Sequence, residues 1–381
     1  MPYLILLLAL AVASPTLSAQ SVLTGVLTDR TTDQPVPDAT IFVDGTNIVS
    51  RSDADGNFRL ALGEARPPYR LAVRHQAFEI PPFRIATAAQ PLVIRLAPRR
   101  VADTALPPIS RSDLHLIKNY FIGRDDWLVP VELQNPEVLG AEQAFPPSRA
   151  TIGSNAAPTS RRDRRTATRR ERLRKKYAEP IGLSLTATAP LVIDNPYLGY
   201  RIHLDLMSAY HTYRGKVTDH TGTVSFADLL PNDTAGRLQT ITNRELAYWG
   251  SALHFLRALT DGRLADNGFT VREKVVVDFG TATELIPADP NADLERQADG
   301  TYVLVGWQGR ELIIDYTPEN NRFRTRRLRN RSWPHQLTLR IANEREHLHP
   351  AGYSLTGGLR FSGQTEANHV SYWLPVNYRP H

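Results

Sequence analysis

The sequence predicts a mainly β protein with a minor helical part: an N-terminal seven-stranded antiparallel β-sandwich followed by a β-rich α+β domain. Three observations carry this. Short runs of alternating apolar and polar residues recur between Val22 and Leu96, separated by turn formers at a spacing of about ten residues. Strand text of the same kind returns after Ile181. One long helical text, residues 242–265, interrupts it with an apolar arc at helical spacing.

The chain opens with "MPYLILLLALAVASPTLSAQ", in which the apolar run Leu4 to Ala13 is followed by a small-residue exit before Gln20. A membrane span needs about 20 apolar residues, so residues 1–19 read as a secretory signal peptide cut after Ala19. The expected location is exported: periplasmic, outer-membrane-associated or secreted. The length of 381 residues suits two or three separate cores. With no Cys, disulfides, thiolate metal sites and thiol nucleophiles are excluded, and any chemistry falls to His, carboxylates, hydroxyls or Lys.

Residues 20–98 carry the sandwich runs "VLTGVLT", "ATIFVDG", "NIVSRS", "NFRLAL", "YRLAVRH", "FEIPPFRI" and "LVIRLAP". In "SDADGNFRL", Ser52 to Leu60, Asp53 and Asp55 stand two residues apart ahead of Gly56. A calcium loop started at Asp53 would need glycine at its sixth position, which is Phe58. The reading is a tight turn: Asp55-Gly56 separates two strand runs, Gly56 supplies a positive φ, and the Asp side chains bond nearby backbone N–H groups. The succession "GVLTD", "QPVPDATIFVDG", "SDADGNFRL" and "LVIRLAP" resembles the carboxypeptidase regulatory-like domain, a transthyretin-like β-sandwich. That resemblance implies a non-catalytic accessory module. No "HxxE" zinc-ligand pair occurs in the chain, so peptidase activity is not carried over with it.

Residues 99–139 read as a Pro-containing linker and a short amphipathic helix, Ser112 to Gly123, with Ser112 as N-cap. Residues 140–180 read as a flexible basic insertion, too poor in apolar residues to offset chain entropy. It ends in "RRDRRTATRRERLRKK", with Arg161, Arg162, Arg164, Arg165, Arg169, Arg170, Arg172, Arg174, Lys175 and Lys176 against two acids. This segment, locally +8, more than accounts for the formal net charge of +6. An anionic polymer such as an acidic glycan or lipopolysaccharide is the candidate partner, with a solvated spacer as the alternative. Nucleic acid is disfavoured by the signal peptide and by the lack of stacking aromatics inside the run.

Residues 181–381 form the β-rich α+β domain. On a helical wheel, Leu246, Trp249, Leu253, Phe255, Leu256 and Leu259 share an apolar arc, while Arg244, Ser251, His254 and Arg257 take the other side. These four are the candidate binding residues: the cations suit a carboxylate or phosphate, and the competing reading has them binding strand-end carbonyls and carboxylates such as Asp194 or Asp205. Ser251 and His254 lack the elbow turn, oxyanion hole and orienting acid of a hydrolase pair, so no catalytic residues are assigned. "VGWQGREL" predicts a hairpin about Gln308-Gly309. "EREHLHP" places His347 and His349 on one strand face beside Glu344 and Glu346 without a third ligand at metal-site spacing, and they read as surface histidines. No metal or cofactor is expected.

The stretches "NPEVL", "LVIDNPYLGYRIHLDL", "NRELAYWGSALHFLRAL", "NGF" and "YWLPVNYRP" extend the resemblance to carboxypeptidase-like regulatory domain-containing envelope proteins of Gram-negative bacteria. That family supplies an architecture and an envelope location but no catalytic residues. The functional expectation is an exported, non-enzymatic cell-envelope protein that binds a glycan, peptide or protein partner, or serves a structural role there; the alternative is a hydrolase working from the second domain.

Overall fold

The computed structural model describes residues 21–87, 90–99, 107–123, 131–146, 179–214, 217–277, 282–318, 335–362 and 369–380. The chain is mainly β with few helices, as the alternation predicts. The N-terminal unit has strands β1 (Ser21–Asp29), β2 (Thr40–Val43), β3 (Val49–Arg51), β4 (Asn57–Gly63), β5 (Tyr69–Arg74), β6 (Phe78–Glu79), β7 (Phe83–Ile85) and β8 (Leu92–Pro98). They form two four-stranded sheets, ordered β4-β1-β8-β6 and β3-β2-β5-β7. The strand count is eight because "FEIPPFRI" divides at Pro81-Pro82 into β6 and β7, one in each sheet. Proline has no N–H to give a ladder, so the run cannot continue through it. One pair, β1 with β8, is parallel, because the chain crosses from the second sheet and re-enters the first beside its opening strand.

Alternation places the core. Along β4 the residues alternate exposed and buried, and Phe58, Leu60 and Leu62 meet Leu23, Leu27, Ile41, Leu71, Ile94 and Leu96. Each such Leu or Ile contributes about 1.5–3 kcal/mol. The turn at Asp53 forms as read: Asp53 Oδ1 accepts from the backbone N of Asp55 at 3.0 Å and of Asn57 at 2.8 Å, and Gly56 has φ +74°.

The next helix, α1 (Arg111–Ile117), is capped two residues earlier than expected. Ser110 is its N-cap, its Oγ accepting from Asp113 N at 3.1 Å; Ser112 lies inside the helix. A π turn over Lys118–Ile122 then seats Phe121 and Ile122 in the second core.

Strands β9 (Glu132–Leu133), β10 (Leu139–Ala144), β11 (Gly182–Ala187), β12 (Leu191–Asn195), β13 (Tyr200–Thr212) and β14 (Val217–Asp228) follow. They build a six-stranded sheet in which β13 also pairs with β14. The start of the expected insertion is therefore corrected: Gly140 to Ala144 pair antiparallel with Gly182 to Thr186 in a regular ladder. The ten basic residues from Arg161 to Lys176 lie outside the described residues.

The single helix expected over 242–265 is two helices, α2 (Thr234–Tyr248) and α3 (Ala252–Thr260). Gly250, at φ +80°, breaks the run, and Ser251 caps α3 by accepting from His254 N at 3.1 Å. A Cβ at Gly250 would sit 2.5 Å from the Tyr316 ring, so both conformation and space require glycine.

The last strands are β15 (Phe269–Val277), β16 (Ala282–Pro287), β17 (Leu294–Arg296), β18 (Tyr302–Val305), β19 (Glu311–Tyr316), β20 (His335–Ile341), β21 (Arg345–His349), β22 (Tyr353–Ser354) and β23 (Leu359–Ser362). Two sheets result, ordered β16-β15-β19-β20-β23 and β17-β18-β21-β22. The turn at Gly309 is present, with φ +76°, but the hairpin is not: β18 and β19 enter different sheets. Gln308 instead bridges to Ile341.

The sandwich is joined to this second unit through its β2–β3 loop. Thr46 bridges Ser225 in parallel at β14, with Gly45 N donating to Val224 O at 2.8 Å and Phe226 N donating to Thr46 O at 2.9 Å. Asp44 accepts from Val224 N at 2.8 Å, and Arg74 grips both oxygens of Asp205. The C-terminal segment closes over the same loop: Val376 N donates to Gly45 O at 2.7 Å.

Candidate functional site

Where sandwich, α3 and C-terminal segment meet, a cleft of 1110 Å³ opens. One wall is the end of β4 and the turn after it, from Ala61 to Arg66; the other comprises Tyr248, His254, Arg257, His349 and Arg379. A second groove, of 1120 Å³, is lined by His75, Phe78, Pro82 and Met207 and holds none of the four candidate residues.

Two of those four line the cleft. His254 stands on the first turn of α3, ringed by Trp249 at 4.8 Å, Tyr248 at 5.0 Å and Phe269 at 4.8 Å between ring centroids. Its Nδ1 accepts from Gly250 N at 3.1 Å, which leaves the proton on Nε2, 3.2 Å from Asn267 Oδ1. Burial pulls its pKa down to about 4, so the ring is neutral at pH 7 with both nitrogens engaged. It serves as a structural knot that ties the helix break to the turn before β15.

Arg257, one turn further along α3, is 7% exposed. Nε donates to Ala351 O at 2.9 Å, and Nη2 donates to Val376 O at 2.7 Å and Tyr378 O at 2.8 Å. The stem passes Gly352, where a Cβ would come within 2.9 Å of Arg257 Cγ. Nη1 is buried and makes no hydrogen bond of regular geometry. Burial lowers the guanidinium pKa, an effect the neighbouring Tyr248 phenol opposes.

Arg244 and Ser251 do not reach the cleft. Arg244 Nε donates to Leu198 O at 2.7 Å and Nη2 to Gly199 O at 2.9 Å, pairing also with Asp228 at 3.1 Å, while its guanidinium carbon lies 3.7 Å over the Tyr200 ring. It closes a strand end, as the competing reading had it. Ser251 is the cap of α3 and faces a smaller pocket of 410 Å³ beside His220 and Trp373. The helix break at Gly250 separates the side chains that an unbroken wheel places together.

His347 and His349 also part company. His349 is 3% exposed, with Nε2 3.2 Å from Arg66 O and its ring stacked on Tyr353 at 4.6 Å. It is a buried contact with the sandwich, so the surface reading fails there; Glu346 is taken up by Asn343, Ser354 and Gly358 N. Among the described residues, no group of three His, Asp or Glu side chains is placed to hold a metal ion. None of the described helices is long and apolar enough to cross a membrane.

Sequence reasoning missed Tyr248, Asn267, Tyr378 and Arg379. Their only signal was position: Tyr248 and Asn267 stand at the helix break and in the turn before β15, and the tail meets Arg257 across more than a hundred residues, which leaves no local period. No family model matches the chain, and no curated protein matches it.

Proposed function

We propose that this chain is an exported, non-enzymatic cell-envelope protein, built on a carboxypeptidase regulatory-like sandwich, that binds a glycan, peptide or protein partner in the cleft between that sandwich and α3. The observation that carries the reading is the cleft itself. It lies where two packed units meet, a common place for ligand sites, and has polar groups at its inner wall. Export is supported by the apolar run and small-residue exit at the N-terminus. The absence of a working Ser–His pair supports binding over hydrolysis: Ser251 Oγ caps the backbone while the His254 ring turns to Gly250 and Asn267. The basic segment from Arg161 to Lys176 supplies a second, electrostatic contact with anionic envelope polymers.

The test uses the tagged full-length chain and Ala61→Trp, which fills the cleft from an exposed position at the sandwich wall. The expected result is recovery in the envelope or medium, with a component captured from envelope extracts by the wild type and lost with Ala61→Trp. Recovery of intact protein from the cytoplasm, or equal capture by both proteins, would overturn the reading.

A further inference from the structure

Among the described strands, β16 alone has every residue exposed. It borders its sheet, with β15 on one side and no strand among the described residues on the other. The pairing of β15 with β19 ends at Glu273 and Leu312, whereas its pairing with β16 runs on to Val277 and Ala282. From Lys274 outward these two strands form an arm beyond the sheet, and two strands alone are marginally stable in water. Paired residues share a face, so Val276 and Leu285 lie on one side of the arm and Val275, Val277 and Ile286 on the other. Val276 is 67% exposed, Leu285 44% and Ile286 41%. The main chain gives the free edge its direction. Ala288 N donates to Val271 O at 3.1 Å, and on the far side of β15 Thr317 N donates to Gly268 O at 2.9 Å. Antiparallel alternation then turns the backbone groups of Glu284 and Ile286 toward β15 and those of Thr283 and Leu285 outward. Pro287 falls in the outward set and offers a carbonyl but no N–H.

We propose that β16 is a self-association edge, on which β16 of a second copy of this chain pairs antiparallel about Leu285. The inference is independent of the cleft and of what the cleft binds. In this register Leu285 exchanges two main-chain hydrogen bonds with Leu285 of the second copy, and each Thr283 N–H meets a Pro287 carbonyl, so all four outward donors of the pair find acceptors. The two-fold axis stands normal to the sheet and brings like faces together. Both Leu285 and both Val276 side chains then join in one apolar strip, while each Glu284 lies opposite an Ile286. The neighbouring register, centred on Glu284, sets two carboxylates directly opposite and is disfavoured for that reason. Thr283 to Pro287 is thus complementary to itself, which a foreign strand need not be. Pairing consumes the free edge in both copies, so the assembly closes at two and leaves no edge for further strands to add.

Sedimentation equilibrium of the full chain, over the micromolar to millimolar range, should show a mass that rises from one chain to two. Leu285→Pro removes an outward donor and no bond to β15, so it should leave the melting temperature unchanged and hold the mass at one chain. The chain has no Cys, which permits a test of register with single thiols. Leu285→Cys sets two Cα atoms about 5.5 Å apart across the axis, within the span of a disulfide. Glu284→Cys sets them about 8 Å apart, beyond it. Mild oxidation should therefore give a covalent dimer with Leu285→Cys and none with Glu284→Cys; should Leu285→Pro fail to fold, this pair of variants decides. A mass of one chain at every concentration overturns the proposal, as does a dimer that survives Leu285→Pro or one that Glu284→Cys cross-links in preference to Leu285→Cys.

Discussion

Replacing Arg74 with Met removes the strongest polar clamp between sandwich and second unit while keeping the apolar stem of the side chain. Arg74 Nε lies 2.8 and 2.9 Å from the two Asp205 oxygens, and Nη2 lies 2.5 Å from Oδ2. Nη2 also reaches Ser225 Oγ at 3.2 Å, and the guanidinium carbon lies 4.8 Å over the Phe42 ring. The paired side chains are 18% and 25% exposed. Removing one partner of a fully buried pair costs about 3–5 kcal/mol, and an exposed pair contributes at most about 1 kcal/mol. At this partial exposure Arg74→Met should cost about 2 kcal/mol. Asp205→Asn should cost a similar amount, and the double variant little more than either, a coupling of about 1–2 kcal/mol. Urea unfolding of the full chain, followed by a double-mutant cycle, measures this. The single variants should also broaden the transition or split it in two as the units lose their coupling. Additivity within about 0.3 kcal/mol would show that Arg74 and Asp205 do not hold the units together.

Two further outcomes are expected. Burial pulls His220, packed on Phe121 and Trp373, down to about 4, as it does His254. Between about pH 4 and 6.5 the unfolded chain therefore binds more protons at both residues, and their contribution to stability grows as pH rises. Asp44, pushed up to about 6 by burial, acts in the opposite sense, since the folded chain holds its proton more tightly. Two histidines outweigh one aspartate, so the melting temperature should climb from about pH 4.5 to 7 and His220→Gln should flatten the climb; a falling profile would refute the balance. Replacing residues 147–178 by a short turn should change stability by less than about 0.5 kcal/mol, because Ala144 and Gly182 are already paired and Ile181 N donates to Ala144 O at 2.8 Å. The same deletion should abolish salt-sensitive retention on a sulfated-dextran column; unchanged retention would remove the basic segment as the anionic contact.

Most strands were legible because alternation is a local signal: each residue of β4 shows its face by its polarity. The division of "FEIPPFRI" was readable in principle at Pro81-Pro82, but which sheet each half joins depends on distant partners. Gly250 and Ser251 mark the end of one helix and the cap of the next, and the apolar arc running through both obscured that mark. Asp233, four residues before the earliest Arg of α2, was an unread N-cap, accepting from Gly236 N at 2.7 Å. At the cleft, His254 and Arg257 were found because they share one short helix. Tyr378 was not, since it meets Arg257 only through the tertiary fold, 121 residues further along the chain.

The hydrogen bond from Val376 to Gly45 joins almost the two ends of the described chain. A polypeptide made from its N-terminus forward completes its sandwich early, because all eight strands lie within residues 21–98. The cleft forms later, because its far wall draws on residues from Tyr248 onward and is closed by the segment from Val376 to Pro380. Shortening the chain at residue 369 would therefore leave a sandwich with its own core intact but strip Arg257 of two of its three carbonyls. A product clipped there would lose one side of the cleft while its sandwich core stayed packed.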